Sequence, residues 1–272
     1  MSLDGKKLGF IGTGKMGSAL IEGICNAGIF SPSDVYASDL YEPSLDYLKE
    51  TVGVNVSTDN TNTVKNSNII VLAVKPQILR KVIAGIRDDI ASDKLIVSIA
   101  AGVKLEDIES EFNTGTRVVR VMPNIAATVA EAASAITQGS SASKEDAEDA
   151  LAIFRSVGSA IQVPENLMDA VTGLSGSGPA YIFPVIEAMA DGAVHEGLDR
   201  NSALVLAAQT VIGAAKMVLE TGTHPGELKD MVTSPAGTTI RGIRALEESG
   251  IRAAFMKAVI ESSNRSKELG KK

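Results

Sequence analysis

The stretch KLGFIGTGKMG, residues 7–17, decides how the rest of the chain is read. A short apolar run passes directly into GTGKMG, where Gly12, Gly14 and Gly17 stand in GxGxxG register, and Met16, Leu20 and Ile24 then recur at helical spacing. In such a turn one glycine permits the tight bend, the second lets the backbone approach a pyrophosphate, and the third lets the helix pack closely on the strand. The helix N-terminus adds unpaired N–H groups and partial positive charge. The glycine pattern alone is weak, but a strand before it and a helix after it are the context that dinucleotide binding requires, against a merely structural glycine turn.

Outward from this point, residues 7 to about 163 alternate short apolar runs with longer amphipathic segments. The runs are KLGFIG (7–12), DVYAS (34–38), a short VNV, NIIVLAV (68–74), LIVSIA (95–100) and RVVRVM (117–122). Continuous apolarity over a strand's length marks parallel strands covered on both faces by crossover helices. SAITQ and SAIQV flank a polar helix that starts after Ser143 and read as extensions of the sheet, with loops as the alternative. After Val163 and Pro164 the strands cease. PAYIFPVIEAMADGAVHEG and RNSALVLAAQTVIGAAKMVLETG carry apolar residues almost all round a helix, which suits burial in a bundle or between subunits. The expected fold is α/β, with a Rossmann-type dinucleotide-binding domain over 1–163 followed by an all-α domain over 164–272. So little polar face in the second domain predicts an obligate oligomer.

Composition narrows the function. The 272 residues carry a net charge of -7, with no cluster of Lys and Arg, which argues against a nucleic-acid partner. The single cysteine, Cys25, cannot form an intrachain disulfide, and MSLDGKKLGF lacks the apolar core of a signal peptide, so a cytoplasmic location is expected. The longest apolar runs, such as IIVLAV, fall far short of the roughly 20 residues of a membrane span, and no membrane association is expected. Only two histidines occur, His195 and His224, and no HExxH, so no metal site with several His or Cys ligands is expected. His195 at a helix end and His224 at a helix start read as structural, and Cys25 reads as core. Ser175, in LSGSG, lacks the strand-to-helix elbow of a nucleophile.

Three further strands end in AVKPQ (73–77), SIAAG (98–102) and RVMPN (120–124). In a parallel sheet these ends share one edge with the glycine loop, where ligands bind. Ala100, Ala101 and Gly102 leave room for a flat ring, and Pro76 and Pro123 fix the exit direction of the chain. Asp39, at the end of the second strand, is a candidate acceptor for a ribose diol. It would repel a 2'-phosphate, and no Lys or Arg stands between Lys15 and Lys49 to hold one, which tilts the cofactor from NADPH toward NADH.

GTGKMG, AVKP, VMPN, TGLSGSGPAY (172–181) and DMVTSPAGTT (230–239), in this order and spacing, resemble pyrroline-5-carboxylate reductase over essentially the whole chain. The resemblance implies reduction of the cyclic imine pyrroline-5-carboxylate to L-proline with NADPH or NADH, the last step of proline biosynthesis. It also implies a helical domain that serves dimerisation and substrate binding, with dimers often assembled into larger rings. The implied cofactor contacts are Gly12, Thr13, Gly14, Lys15, Met16, Gly17, Ser38 near the adenosine ribose, Asn60, Ala73, Val74, Lys75, Pro76, Ala100 and Ala101. The implied substrate loop runs from Ser234 through Ala236, Gly237 and Thr238 to Thr239, with Ser234 and Thr239 as the catalytic candidates. Two departures stand out. NADPH-preferring members usually lack an acid beside Ser38, and the loop usually has Gly-Gly where this chain has Ala236 and Gly237, which limits the first position to angles that an L-residue accepts.

The loop contains no ionisable side chain, and the chemistry explains why. Hydride adds to a C=N carbon made electrophilic by a proton that the product amine keeps, so placement is the main task. A substrate carboxylate can be held by backbone N–H groups at a helix N-terminus with one or two hydroxyls. Rival readings are a related imine or β-hydroxyacid dehydrogenase and a non-catalytic dinucleotide-sensing oligomer. The hydroxyacid enzymes use a lysine on the long helix after the Rossmann domain, and no Lys occurs here between Lys144 and Lys216.

Overall fold

Alternation within each apolar run divides the strands between two cores. In the computed structural model, which describes residues 3–270, β1 (Leu8–Ile11) sends Leu8 and Phe10 to one cluster and Ile11 to the other. α1 (Lys15–Asn26) follows, then β2 (Val35–Ser38), α2 (Glu42–Thr51), β3 (Asn55–Ser57) and α3 (Asn60–Lys65). In β4 (Ile69–Leu72), Ile69 and Val71 face the first cluster, whereas Ile70 and Leu72 face the second. α4 (Pro76–Ile86), β5 (Leu95–Ser98), α5 (Leu105–Ser110) and β6 (Arg117–Met122) continue the alternation of strand and helix. Leu20, Ile21 and Ile24 of α1 line the first core, and Leu79, Ile83 and Ile86 of α4 the second. A two-faced strand with period-2 side chains reads as a continuous apolar run for this reason.

The two short candidate segments are strands. β7 (Ala132–Gln138) pairs antiparallel with β6, and β8 (Gly158–Gln162) pairs parallel with β7. Between them lies α6 (Lys144–Arg155), started by a reciprocal capping box of Ser143 and Asp146. The sheet has eight strands in the order β3-β2-β1-β4-β5-β6-β7-β8. The order reverses direction between β1 and β4, both parallel to their neighbours, which opens a crevice beyond their carboxyl ends.

The remainder is helical: α7 (Met168–Val171), a π-turn over Thr172–Gly176, α8 (Gly178–His195), α9 (Arg200–Thr221), α10 (Pro225–Met231), α11 (Thr238–Glu248) and α12 (Ile251–Leu269). Composition changes at 163/164, but packing divides the chain elsewhere. One compact unit holds residues 1–177 with 261–272, and the other holds 178–260. Residues 164–177 and the end of α12 are packed with the sheet unit, so the change of composition does not coincide with the change of packing.

α9 corrects one expectation. Within its 22 residues an 18-residue window has a mean hydropathy of 1.7, enough by length and composition to cross a membrane. A search for uninterrupted apolar runs misses it, because Gln209, Thr210 and Lys216 break a stretch that is otherwise Ala, Val, Leu, Ile, Gly and Met. Within its unit, the cluster of buried residues contains only Ala190, Ala203 and Ala207. Leu204, Val205, Leu206, Ile212, Met217 and Leu219 of α9, with Phe183 and Met189 of α8, are exposed. Three buried alanines and Leu228 remove too little apolar surface to hold five helices together, and the exposed face is the area that remains to be covered. Sedimentation at micromolar concentration is expected to find a self-associated species and no folded monomer, with Leu206→Glu shifting it toward unfolded or dissociated chain. A stable, active monomer would contradict this.

Candidate functional site

The three glycines of the first turn meet different surroundings. Gly12 has φ +103°, and a Cβ there would lie 2.7 Å from the Ala73 carbonyl oxygen. At Gly17 a Cβ would come within 2.2 Å of the Gly12 carbonyl oxygen. Around Gly14 nothing lies within 4 Å, so this position is open on the side where a ligand backbone would approach. The N-terminus of α1 has no side-chain cap and no acidic residue in its first turn. Its unpaired N–H groups and dipole therefore suit an anion. Thr13 is buried, Met16 is half-buried, and Lys15 is exposed beside the turn.

Asp39 is half-buried, and its carboxylate faces the glycine loop. Thr13 donates to Oδ2 from its backbone N–H at 2.7 Å and from its hydroxyl at 3.2 Å, and the Tyr41 N–H donates to Oδ1 at 3.0 Å. The carboxylate thus braces the turn from the end of β2. Ser38 departs from expectation. Its side chain is fully buried and donates to Asn60 Oδ1 at 2.9 Å, so it reaches the crevice through Asn60. Asn60, half-buried, opens α3, with Asp59 as the cap.

The next strand ends lie beside this turn. Ala73 donates to the Ile11 carbonyl at 2.8 Å, which keeps Ala73 and Val74 alongside Gly12, while Lys75 and Pro76 are exposed where α4 begins. Ile99 donates to the Leu72 carbonyl at 3.2 Å, so Ala100, buried, and Ala101, exposed, follow one strand further along the edge. Ser98 pairs with Arg120, which brings Met122 and Asn124 to the same edge beyond β6. All the cofactor candidates thus share one sheet edge.

The substrate candidates form a second group, in the other compact unit. Gly237 donates to the Ser234 carbonyl at 3.1 Å, closing a turn with Pro235 at its second position and Ala236 at its third. Ala236 has φ +57°, the left-handed angle that a type II turn demands at that place. The expectation that alanine restricts this position is therefore corrected: the backbone stays left-handed at a cost of roughly 1–2 kcal/mol. One residue later a Cβ on Gly237 would meet Ser234 Oγ at 2.3 Å, so any side chain there would turn that hydroxyl away. Thr238 and Thr239 open α11, whose N-terminus has neither a side-chain cap nor an acidic first turn. Like α1, it offers unpaired N–H groups with no acidic residue in its first turn.

Of the remaining candidates, His224 and Ser175 make local contacts. His224 Nδ1 accepts from the Gly226 N–H at 3.1 Å and caps α10, and His195 stands in the last turn of α8. Cys25 packs against the first core, and burial pushes its thiol up to about 11, so it stays protonated near neutrality. Ser175 lies in the π-turn and donates to the Val171 carbonyl. Among the described residues, no three His, Cys, Asp or Glu side chains are grouped to hold a metal ion. Sequence reasoning did not foresee that Thr13 binds Asp39 or that Asn124 binds Ser175. A polar residue inside each motif was the available signal.

Known proteins resemble both parts. Residues 165–269 match the family model for pyrroline-5-carboxylate reductase dimerisation, and residues 7–102 match the model described as NADP oxidoreductase, coenzyme F420-dependent. A pyrroline-5-carboxylate reductase of Methanosarcina acetivorans is 66% identical over 99% of this chain and 100% of its own. The solved structure of a pyrroline-5-carboxylate reductase from Coxiella burnetii superposes with a TM-score of 0.92 at 36% identity, covering 98% of this chain and 99% of that one. That of the Plasmodium falciparum pyrroline carboxylate reductase, with NADP bound, gives 0.87 at 32% identity, covering 98% and 99%. Sequence and fold thus match proteins of one kind over nearly the whole length, and the chain belongs to the pyrroline-5-carboxylate reductase family.

Proposed function

We propose that the protein reduces pyrroline-5-carboxylate to L-proline in the cytoplasm, with NADH preferred over NADPH, as a dimer that can assemble into a ring. The observation that carries this reading is the pair of uncapped helix N-termini, one behind GTGKMG and one behind TSPAGTT. The first suits a pyrophosphate and the second a small carboxylate. Gly12, Thr13, Gly14, Lys15, Met16 and Gly17 hold the pyrophosphate. Asp39 and Asn60, positioned by Ser38, serve the adenosine ribose, and Ala73, Val74, Lys75, Pro76, Ala100 and Ala101 line the path toward the nicotinamide.

A reduced nicotinamide, when bound, supplies the hydride. The substrate loop supplies placement. Gly237 closes the turn, the unpaired N–H groups at Thr238 and Thr239 bind the carboxylate, and the Ser234 and Thr239 hydroxyls complete the receptor. An arginine there would bind the carboxylate too, but its charge would oppose the protonated imine. The hydroxyacid-dehydrogenase reading lacks its lysine, since none occurs between Lys144 and Lys216.

The direct assay mixes the protein with NADH or NADPH and pyrroline-5-carboxylate and follows the absorbance of the reduced nicotinamide. Turnover is expected with both cofactors, and its absence with both would leave the dinucleotide-sensing reading in place. Thr239→Ala is expected to raise KM and lower kcat/KM roughly 10- to 150-fold, the loss of one hydrogen bond to a charged group at about 1.5–3 kcal/mol. Unchanged kinetics would remove Thr239 from the site. Asp39→Ser is expected to move the NADPH/NADH ratio of kcat/KM upward by about tenfold, ~1.4 kcal/mol. It should also raise KM for both cofactors, because Thr13 and Tyr41 lose their shared acceptor. An unmoved ratio would separate Asp39 from cofactor choice.

A further inference from the structure

VMPN and TGLSGSGPAY are the two motifs for which neither the cofactor nor the substrate loop accounts. In the structure they meet. Asn124, buried, accepts from the Ala126 and Ala133 N–H groups through Oδ1, at 3.2 and 3.3 Å, and donates through Nδ2 to the Ser175 carbonyl at 3.0 Å. Ser175 belongs to the π-turn, in which the Ser177 N–H reaches back five residues to the Thr172 carbonyl at 2.9 Å. A turn this wide takes carbonyls out of the regular helical ladder, and the Asn124 amide satisfies one of them.

Two further contacts hold the same turn. A Cβ on Gly176 would lie 2.6 Å from Met122 Cε, so the turn rests directly on the last residue of β6. Beyond the turn, the Ser177 and Ser262 hydroxyls are 2.8 Å apart, tying it to the end of α12. β6 ends beside β5, whose exit carries Ala100 and Ala101. The π-turn is thus fastened to the edge at which the nicotinamide is proposed to bind, immediately before the chain leaves the sheet unit at Ser177.

We propose that Asn124 is a positioning residue for hydride transfer, locking the nicotinamide edge of the sheet to the π-turn through its bond to the Ser175 carbonyl. The inference rests on the reductase reading above. The hydrogen bonds of Asn124 go to Ser175, Ala126 and Ala133 and not to the pyrophosphate turn, so its loss acts on alignment and leaves cofactor affinity in place. Rates of group transfer are sensitive to displacement at this scale, by about a hundredfold for roughly 1 Å.

Asn124→Asp tests it, because the carboxylate keeps the acceptor for Ala126 and Ala133 but faces the Ser175 carbonyl with a second acceptor. In the full-length enzyme kcat is expected to fall about 10- to 100-fold. NADH affinity, read by fluorescence titration, should stay within about threefold of wild type, since the helix N-terminus that binds the pyrophosphate is untouched. The primary isotope effect with 4-deuterated NADH should rise as hydride transfer becomes slower than product release. A second variant, Asn124→Ser, removes the bond to the Ser175 carbonyl without adding charge and should lower kcat while leaving NADH affinity in place. Inactive wild-type protein would sink the reductase reading itself. With active wild type, a folded Asn124→Asp enzyme with unchanged kcat, or one losing NADH affinity as much as kcat, overturns the inference. If that variant does not fold, an Asn124→Ser enzyme with wild-type kcat, or one losing NADH affinity as much as kcat, overturns it.

Discussion

The contact on which the site depends is the closeness of Gly17 to the Gly12 carbonyl. With no Cβ between them, α1 sits directly on the end of β1, and its first N–H groups open at the edge of the sheet. Gly12 turns the chain with a positive φ while pressed against Ala73, so the same bend brings the exit of β4 alongside. Any side chain at Gly12 or Gly17 would push helix or strand outward and withdraw the helix N-terminus from the crevice. Asp39 reinforces the arrangement from the other side by accepting both donors of Thr13.

The second half uses the same physics with different ends. The turn Ser234-Pro235-Ala236-Gly237 closes on itself and delivers α11 with a bare N-terminus. In the proposed reaction one helix N-terminus faces a pyrophosphate and the other a carboxylate, and neither needs a cationic side chain. A substrate that carries its own proton on nitrogen makes that economy chemically consistent. The left-handed alanine shows that the turn geometry is retained where glycine would be easier.

Much of this was legible in the sequence, for identifiable reasons. RVVRVM reads as a strand over 117–122 because both faces of β6 are covered, and GTGKMG reads as a turn because its register and context are both specific. What was not legible depends on pairings that spacing does not encode. Asp39 could be placed at a strand end, but its bonds to Thr13 and Tyr41 could not, and Ser38 proved to point inward to Asn60. Ala236 suggested an altered backbone, whereas the turn imposes its own angle. α9 escaped a search for apolar runs because polar residues are scattered along it, while its exposed Leu, Val and Ile show how much area a partner must cover. The bond between Asn124 and Ser175 joins residues far apart in the chain, which only the fold brings together.

The most direct test of the central claim follows the hydride itself. NADH deuterated at the transferring position of C4 is incubated with the enzyme and pyrroline-5-carboxylate, and the product is analysed by mass spectrometry and NMR. The account predicts L-proline carrying one deuterium, on the ring carbon that was double-bonded to nitrogen. Proline without the label, or cofactor oxidised with no proline formed, would contradict it.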